Sequence, residues 1–105
     1  MATVHVAGKL GRDAELRYTQ RGDPFLTMSL AESRRPGDGD ETEWWNVLVW
    51  GSPALLHAEA LLKGMRVTVS GRLQVRMYEH EGTTRLERTV HAEEIGFSGK
   101  AKAEA

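Results

Sequence analysis

Three tryptophans, Trp44, Trp45 and Trp50, fall within seven residues of a chain that has seven aromatic residues in all. An indole ring offers a broad π-face, and an unpaired base of any identity can stack on it, each stack contributing about 1 to 3 kcal/mol. The groups that would complete such chemistry recur further along. In MRVTVSGRLQVRMYEH, read at strand period, Arg66, Thr68, Ser70, Arg72, Gln74, Arg76 and Tyr78 share one face. Val67, Val69, Gly71, Leu73 and Val75 share the other. Guanidinium groups interleaved with rings are what a single strand needs, since its phosphates require cations and its bases require flat partners. The same period in TEWWNVLVWG puts Trp44, Asn46, Leu48 and Trp50 together and Trp45, Val47 and Val49 on the reverse. An aromatic ring in a strand is most often core or subunit contact. Trp45 is assigned to that role, and Trp44 with Trp50, beside an arginine-bearing face, to binding.

No comparable case exists for catalysis. His5, His57, His80 and His91 stand singly, without metal-ligand spacing. The absence of cysteine removes thiolate nucleophiles, disulfides and thiolate metal sites. GDGDETE (Gly37 to Glu43) lacks the spacing of a calcium loop and reads as a solvated turn. Neither a phosphate-cradling glycine loop nor a nucleophile elbow is found. No catalytic residue, metal ligand or cofactor is assigned. Arg34 and Arg35 open the loop RRPGDGDE, where they either clasp phosphates or pair with Asp38, Asp40 and Glu41. Arg12 and Arg88 read as solubilising residues.

The elements that must position these residues follow from pattern and punctuation. VHVAGKL alternates as a first strand, and the runs Glu15 to Thr19 and Phe25 to Ala31 flank the turn QRGDP as a hairpin. The tryptophan-rich strand comes after the loop at Arg34 to Glu41. GSPALLHAEALLKG carries helix signals: Ser52 as N-cap, Pro53 at the first helical position, a stripe of Leu55, Ala58, Leu61 and Leu62, and Gly64 as C-terminal cap. A helix of about three turns is predicted there. Two long strands then flank a turn at EHEG, with Gly71 marking a bulge or bend. The expected fold class is all-β with one short helix: an OB-fold, a five-stranded Greek-key barrel with the helix between strands 3 and 4. The expected organisation is one domain over residues 1–97 and a short flexible tail over 98–105.

Bulk properties add little. Net charge is -1 over 105 residues and gives no polyanion signature, although ten of the fourteen basic residues are arginines. No segment has membrane-spanning length or the pattern of a secretory leader, so a soluble, cytoplasmic, nucleoid-associated protein without a membrane role is expected.

The stretches VAGKLGRDAELRYTQRGDPFLTMSLAES, TEWWNVLVWG, LLKG, VTVSGRLQVRMY and TVHAEEIGF, in that order from Val4 to Phe97, resemble the bacterial and mitochondrial single-stranded DNA-binding proteins. That resemblance implies a homotetramer of OB-folds that coats single-stranded DNA without sequence preference during replication, recombination and repair. It implies stacking roles for Trp44, in the family's T-E-W motif, for Trp50, where phenylalanine is usual, and for Tyr78, where tryptophan is frequent. Arg17 and Arg76 match basic positions of the family, and Lys63 matches the lysine before the helix-ending glycine. There are departures. Arg34 stands where some members have a further stacking tryptophan, while Asn46 and Gln74 stand at basic positions. The family has a long tail with acidic residues at its end, which recruits repair and replication enzymes; SGKAKAEA does not have that composition, and recruitment by that route is not expected.

Two other readings stand beside this one. The chain also resembles primosomal replication protein N, a dimer binding single strands and a helicase. TVHAEEI fits either family, whereas T-E-W with LVWG favours the coating proteins. In a structural oligomer subunit, the tryptophans would instead form an interface between copies.

Overall fold

A computed structural model describes residues 2–33 and 42–98. Its elements are β1 (Thr3–Leu10), β2 (Glu15–Tyr18), β3 (Pro24–Glu32), β4 (Trp44–Trp50), α1 (Ser52–His57), β5 (Arg66–His80) and β6 (Thr83–Ser98). The strand order is β1-β5-β6-β4-β3-β2, and β1 pairs with β3 as well. β1 meets β5 along Thr3 to Lys9 and β3 along Gly8 to Leu10, so β1, β5, β6, β4 and β3 close a ring of five strands. The chain is an OB-fold, as its pattern predicts. β2 lies outside the ring, paired with β3, and α1 falls between β4 and β5, the third and fourth strands of the ring. Every pairing is antiparallel except that of β4 with β6.

The period-2 alternation of the sequence becomes the inside and outside of this ring. Val6 and Leu10 of β1, Leu26, Met28 and Leu30 of β3, Val47 and Val49 of β4, Val67 and Val69 of β5 and Val90 of β6 form one core, joined by Ala54 and Leu61. Each such large side chain contributes about 1.5 to 3 kcal/mol through removal from water. Where β1 passes from one neighbour to the other, Gly8 lies so close to the Ala31 carbonyl that no Cβ fits.

β5 and β6 form a hairpin closed by Glu81 and Gly82, both at positive φ (53° and 80°), the two-residue turn whose twist matches its strands. The bulge expected at Gly71 is present. Ser70 pairs with Glu94 and Gly71 with Ala92, so the extra residue is Glu93 of β6. A Cβ on Gly71 would collide with the His91 carbonyl. Past Leu73 the hairpin leaves the barrel as an arm. The apolar face predicted for this strand continues onto it, but Val75 is 49% exposed, Met77 70% and their neighbour Leu86 63%, because no core lies beneath them.

The helix corrects the sequence reading. It begins at Ser52 with Gly51 as N-cap, without a side-chain cap, and it ends at His57 after six residues rather than three turns. Ala54 is the residue it buries, while Leu55 and Leu56 face solvent. The missing turns have a tertiary cause. Lys63 N–H donates to the Asp13 carboxylate (2.8 Å), Leu61 C=O accepts from Ala14 N–H (3.0 Å), and Gly64 N–H donates to Leu10 C=O (2.8 Å). These groups serve β1 and the link to β2, and are not free for helical bonds.

Candidate nucleic-acid interface

The outer faces of β2, β3, β4, β6 and β5 make one continuous surface, and strand register fixes who neighbours whom. Arg17 lies opposite Phe25, and Phe25 opposite Trp50. The next row runs Thr27, Leu48, His91, Arg72, and the one after it Ser29, Asn46, Thr89, Gln74. Further out, Arg76 faces Glu87 and Tyr78 faces Arg85 on the arm. The predicted parity of β4 holds. Trp44 and Trp50 point outward, and Val47 and Val49 are buried.

Trp50 is 45% exposed and stacks against Phe25, with ring centroids 5.0 Å apart and planes inclined by 30°. Its indole N–H donates to His91 Nδ1 at 3.2 Å, and His91 Nε2 lies 2.8 Å from Gln74 Oε1. One face of the ring is thus supported and its edge is tethered. Trp44, 52% exposed, lies on the same side about 20 Å away, the length of six strand residues. It rests over Gly11, where a Cβ would come within 2.6 Å of the ring. A side chain at position 11 would displace the indole.

Trp45 points to the other side and is half-buried. Its N–H donates to Glu32 at 2.9 Å, and the Arg88 guanidinium covers its ring at 4.2 Å from the centroid. Arg88 also reaches Glu43 at 2.6 Å. The solubilising role expected of Arg88 is therefore incorrect; the residue clasps the start of β4.

The remaining basic residues are distributed unevenly. Arg12, Arg17 and Arg76 line a shallow depression with Thr27, Asn46 and Glu87. Arg12, read from sequence as solubilising, belongs to this surface. Arg17 pairs with Glu15 at 2.8 Å and Arg72 with Glu93 at 3.7 Å, both solvent-exposed pairs that water and salt weaken. The Thr27 hydroxyl oxygen in the depression is buried without a hydrogen-bond partner among the described residues, while Asn46 donates to Glu87 at 3.4 Å. Tyr78, 47% exposed, sits on the arm. The Lys63 backbone N–H is bonded to the Asp13 carboxylate beside the β1–β2 link. Arg34 and Arg35 lie outside the described residues, as do Asp38, Asp40 and Glu41.

Sequence reasoning missed Phe25, His91 and Glu87. The parity of β6 would have put Glu87, Thr89 and His91 on one face, but only register shows that this face joins that of Trp50. Among the described residues, no group of three or more His, Asp or Glu side chains is arranged to hold a metal ion.

This small OB-fold presents exposed indole rings and arginines on one open sheet face, an arrangement suited to flat, anionic ligands. Residues 1–98 match the model of the Single-strand binding protein family, and the chain belongs to that family. It is 38% identical over 104 residues to the single-stranded DNA-binding protein of Paenarthrobacter aurescens, covering 91% of this chain and 61% of that one. The single-stranded DNA-binding protein of Treponema pallidum (strain Nichols) is 33% identical over 100 residues, 91% of this chain and 57% of the relative. Single-stranded DNA-binding protein 1 of Xylella fastidiosa (strain 9a5c) is 34% identical over 104 residues, 92% and 76%. The chain thus spans little more than half the length of several curated relatives it matches. Among solved structures, the small single-stranded DNA-binding protein from Streptomyces coelicolor superposes with a TM-score of 0.79 at 25% identity, covering 99% of this chain and 97% of that one.

Proposed function

We propose that this protein binds and coats single-stranded DNA without sequence preference, protecting it during replication, recombination and repair. Bases stack on Trp44, Trp50 and Tyr78, and phosphates are met by Arg17, Arg34, Arg35, Lys63, Arg72 and Arg76. The observation that carries this reading is the exposed Trp50 ring, backed by Phe25 and set in one sheet face with Arg17, Arg72 and Arg76. A platform of this kind accepts any base and discriminates against duplex, whose bases already stack on one another. The role is binding rather than catalysis, the site of action is the cytoplasm, and the binding unit is residues 1–97.

The same reading makes the protein a homo-oligomer, a tetramer or a dimer. Two features support association: the exposed Val75, Met77 and Leu86 on the arm, and the edge of β1 that lies beyond its pairing with β3. Light scattering across a concentration series measures the state directly, and a monomer at all concentrations would sink the oligomer.

Binding itself is tested by titrating tryptophan fluorescence with oligothymidine at two salt concentrations, with a duplex of equal length as control. Saturable quenching by the single strand, weakened by salt and little reproduced by the duplex, is expected. No quenching and no retention of the strand would overturn the function and return the tryptophans to structural roles.

A further inference from the structure

An indole N–H donates a hydrogen bond and cannot accept one. The Trp50 N–H points at His91 Nδ1, so that nitrogen is the acceptor and carries no proton. His91 Nε2 then carries the ring proton and donates it to Gln74 Oε1. The three side chains come from β4, β6 and β5, adjacent strands, and form one line across the sheet. We propose that His91, anchored by Gln74, is the positioning residue of the Trp50 platform, and that its neutral form fixes the indole plane on which a base is received. The proposal rests on the single-strand binding reading and adds to it a residue that acts through Trp50.

The need for such a residue follows from the exposure of the ring. Phe25 supports one face of Trp50 and sets its tilt, but stacking alone leaves a half-exposed ring free to slide and turn in its own plane. A hydrogen bond at the indole edge removes that freedom before the ligand arrives, so less ordering remains to be done on binding.

The test compares wild type with His91→Val and His91→Gln, measuring affinity for oligothymidine in about 0.5 M salt, where long-range charge effects are screened. In the free proteins the Trp50 indole N–H resonance is followed. His91→Val should bind about fivefold more weakly, the effect of one ordinary hydrogen bond, and its indole resonance should leave the wild-type position. His91→Gln should bind like wild type and keep a hydrogen-bonded indole resonance, because an amide can accept from Trp50 and donate to Gln74. Equal affinity of His91→Val and wild type, or an indole resonance that is the same in both, would overturn the positioning role. Should His91→Val not fold, His91→Ala takes its place with the same expectation. Failure of all these proteins to bind would instead overturn the binding function, and this proposal with it.

Discussion

Arg88 lies over the ring of Trp45, its guanidinium carbon 4.2 Å from the ring centroid, and from there it reaches the Glu43 carboxylate. Trp45 in turn donates to Glu32, and Glu32 N–H donates to Glu43 C=O at 2.9 Å. Four residues thereby lock the end of β3 to the start of β4, and this lock sets where Trp44 begins the candidate interface. Arg88→Ala should cost about 1 to 2 kcal/mol of stability, since it removes a cation–π contact and an ion pair that is partly shielded from water. Arg88→Lys should recover only part, because an ammonium cannot lie flat on the indole while forking to a carboxylate. Urea denaturation reads both, and an unchanged midpoint for Arg88→Ala would remove the lock from the account.

Trp44→Ala and Trp50→Ala should each weaken oligothymidine binding by about 1 to 3 kcal/mol while the fold is retained. Both rings are near half exposed, so truncation opens no core cavity. Circular dichroism checks the fold and fluorescence anisotropy of a labelled oligonucleotide checks the affinity. Undiminished binding by both variants would return the rings to a structural role.

Arg76 lines the depression beside Asn46 and Glu87 without an ion-pair partner among the described residues. A phosphate there would release a counterion, so Arg76→Ala should weaken binding and reduce the slope of log affinity against log salt by about 0.7, the single-strand value per contact. Affinity measured at four or five salt concentrations gives the slope, and a slope equal to that of wild type would place the phosphates elsewhere.

Two glycines separate stability from binding. At Gly71 a methyl group meets the His91 backbone carbonyl, which cannot yield without opening the β5–β6 ladder. Gly71→Ala should therefore destabilise by about 2 kcal/mol or more. At Gly11 the obstacle is the Trp44 ring, an exposed side chain that can swing away. Gly11→Ala should leave the thermal midpoint near that of wild type yet reduce single-strand affinity by about 1 kcal/mol, part of one stacking contact. Loss of stability without loss of affinity at position 11 would contradict the placement of Trp44 in the interface.

What could be read from the sequence was whatever depends on local period. The two faces of TEWWNVLVWG and the split between arginines and valines in VTVSGRLQVR needed only alternation, and both survive in the strands. Gly71 announced an irregularity, although the residue that bulges is Glu93 on the partner strand, which no reading of one strand reveals. The helix was overestimated because Asp13, Ala14 and Leu10 take the backbone groups of Leu61 to Gly64, and tertiary partners override local propensity. Phe25, His91 and Arg88 were missed for a shared reason. Each acquires its role from a ring on another strand, Trp50 or Trp45, and register is not written in period.

The long β5–β6 hairpin also has a consequence for the order of folding. Its strands are joined by two residues, so zipping them together closes a very short loop, whereas joining Thr3 to Arg72 closes a loop of most of the chain. We predict a folding nucleus in the hairpin, with β1 docking after the rate-limiting step. Gly82→Ala, at a left-handed turn position, should then slow refolding, and Val6→Ala should mainly accelerate unfolding, as read by stopped-flow kinetics. Refolding slowed equally by both would contradict that order. The arm with the least core beneath it would then be the first part of the molecule to take shape, serving as the template on which the barrel closes.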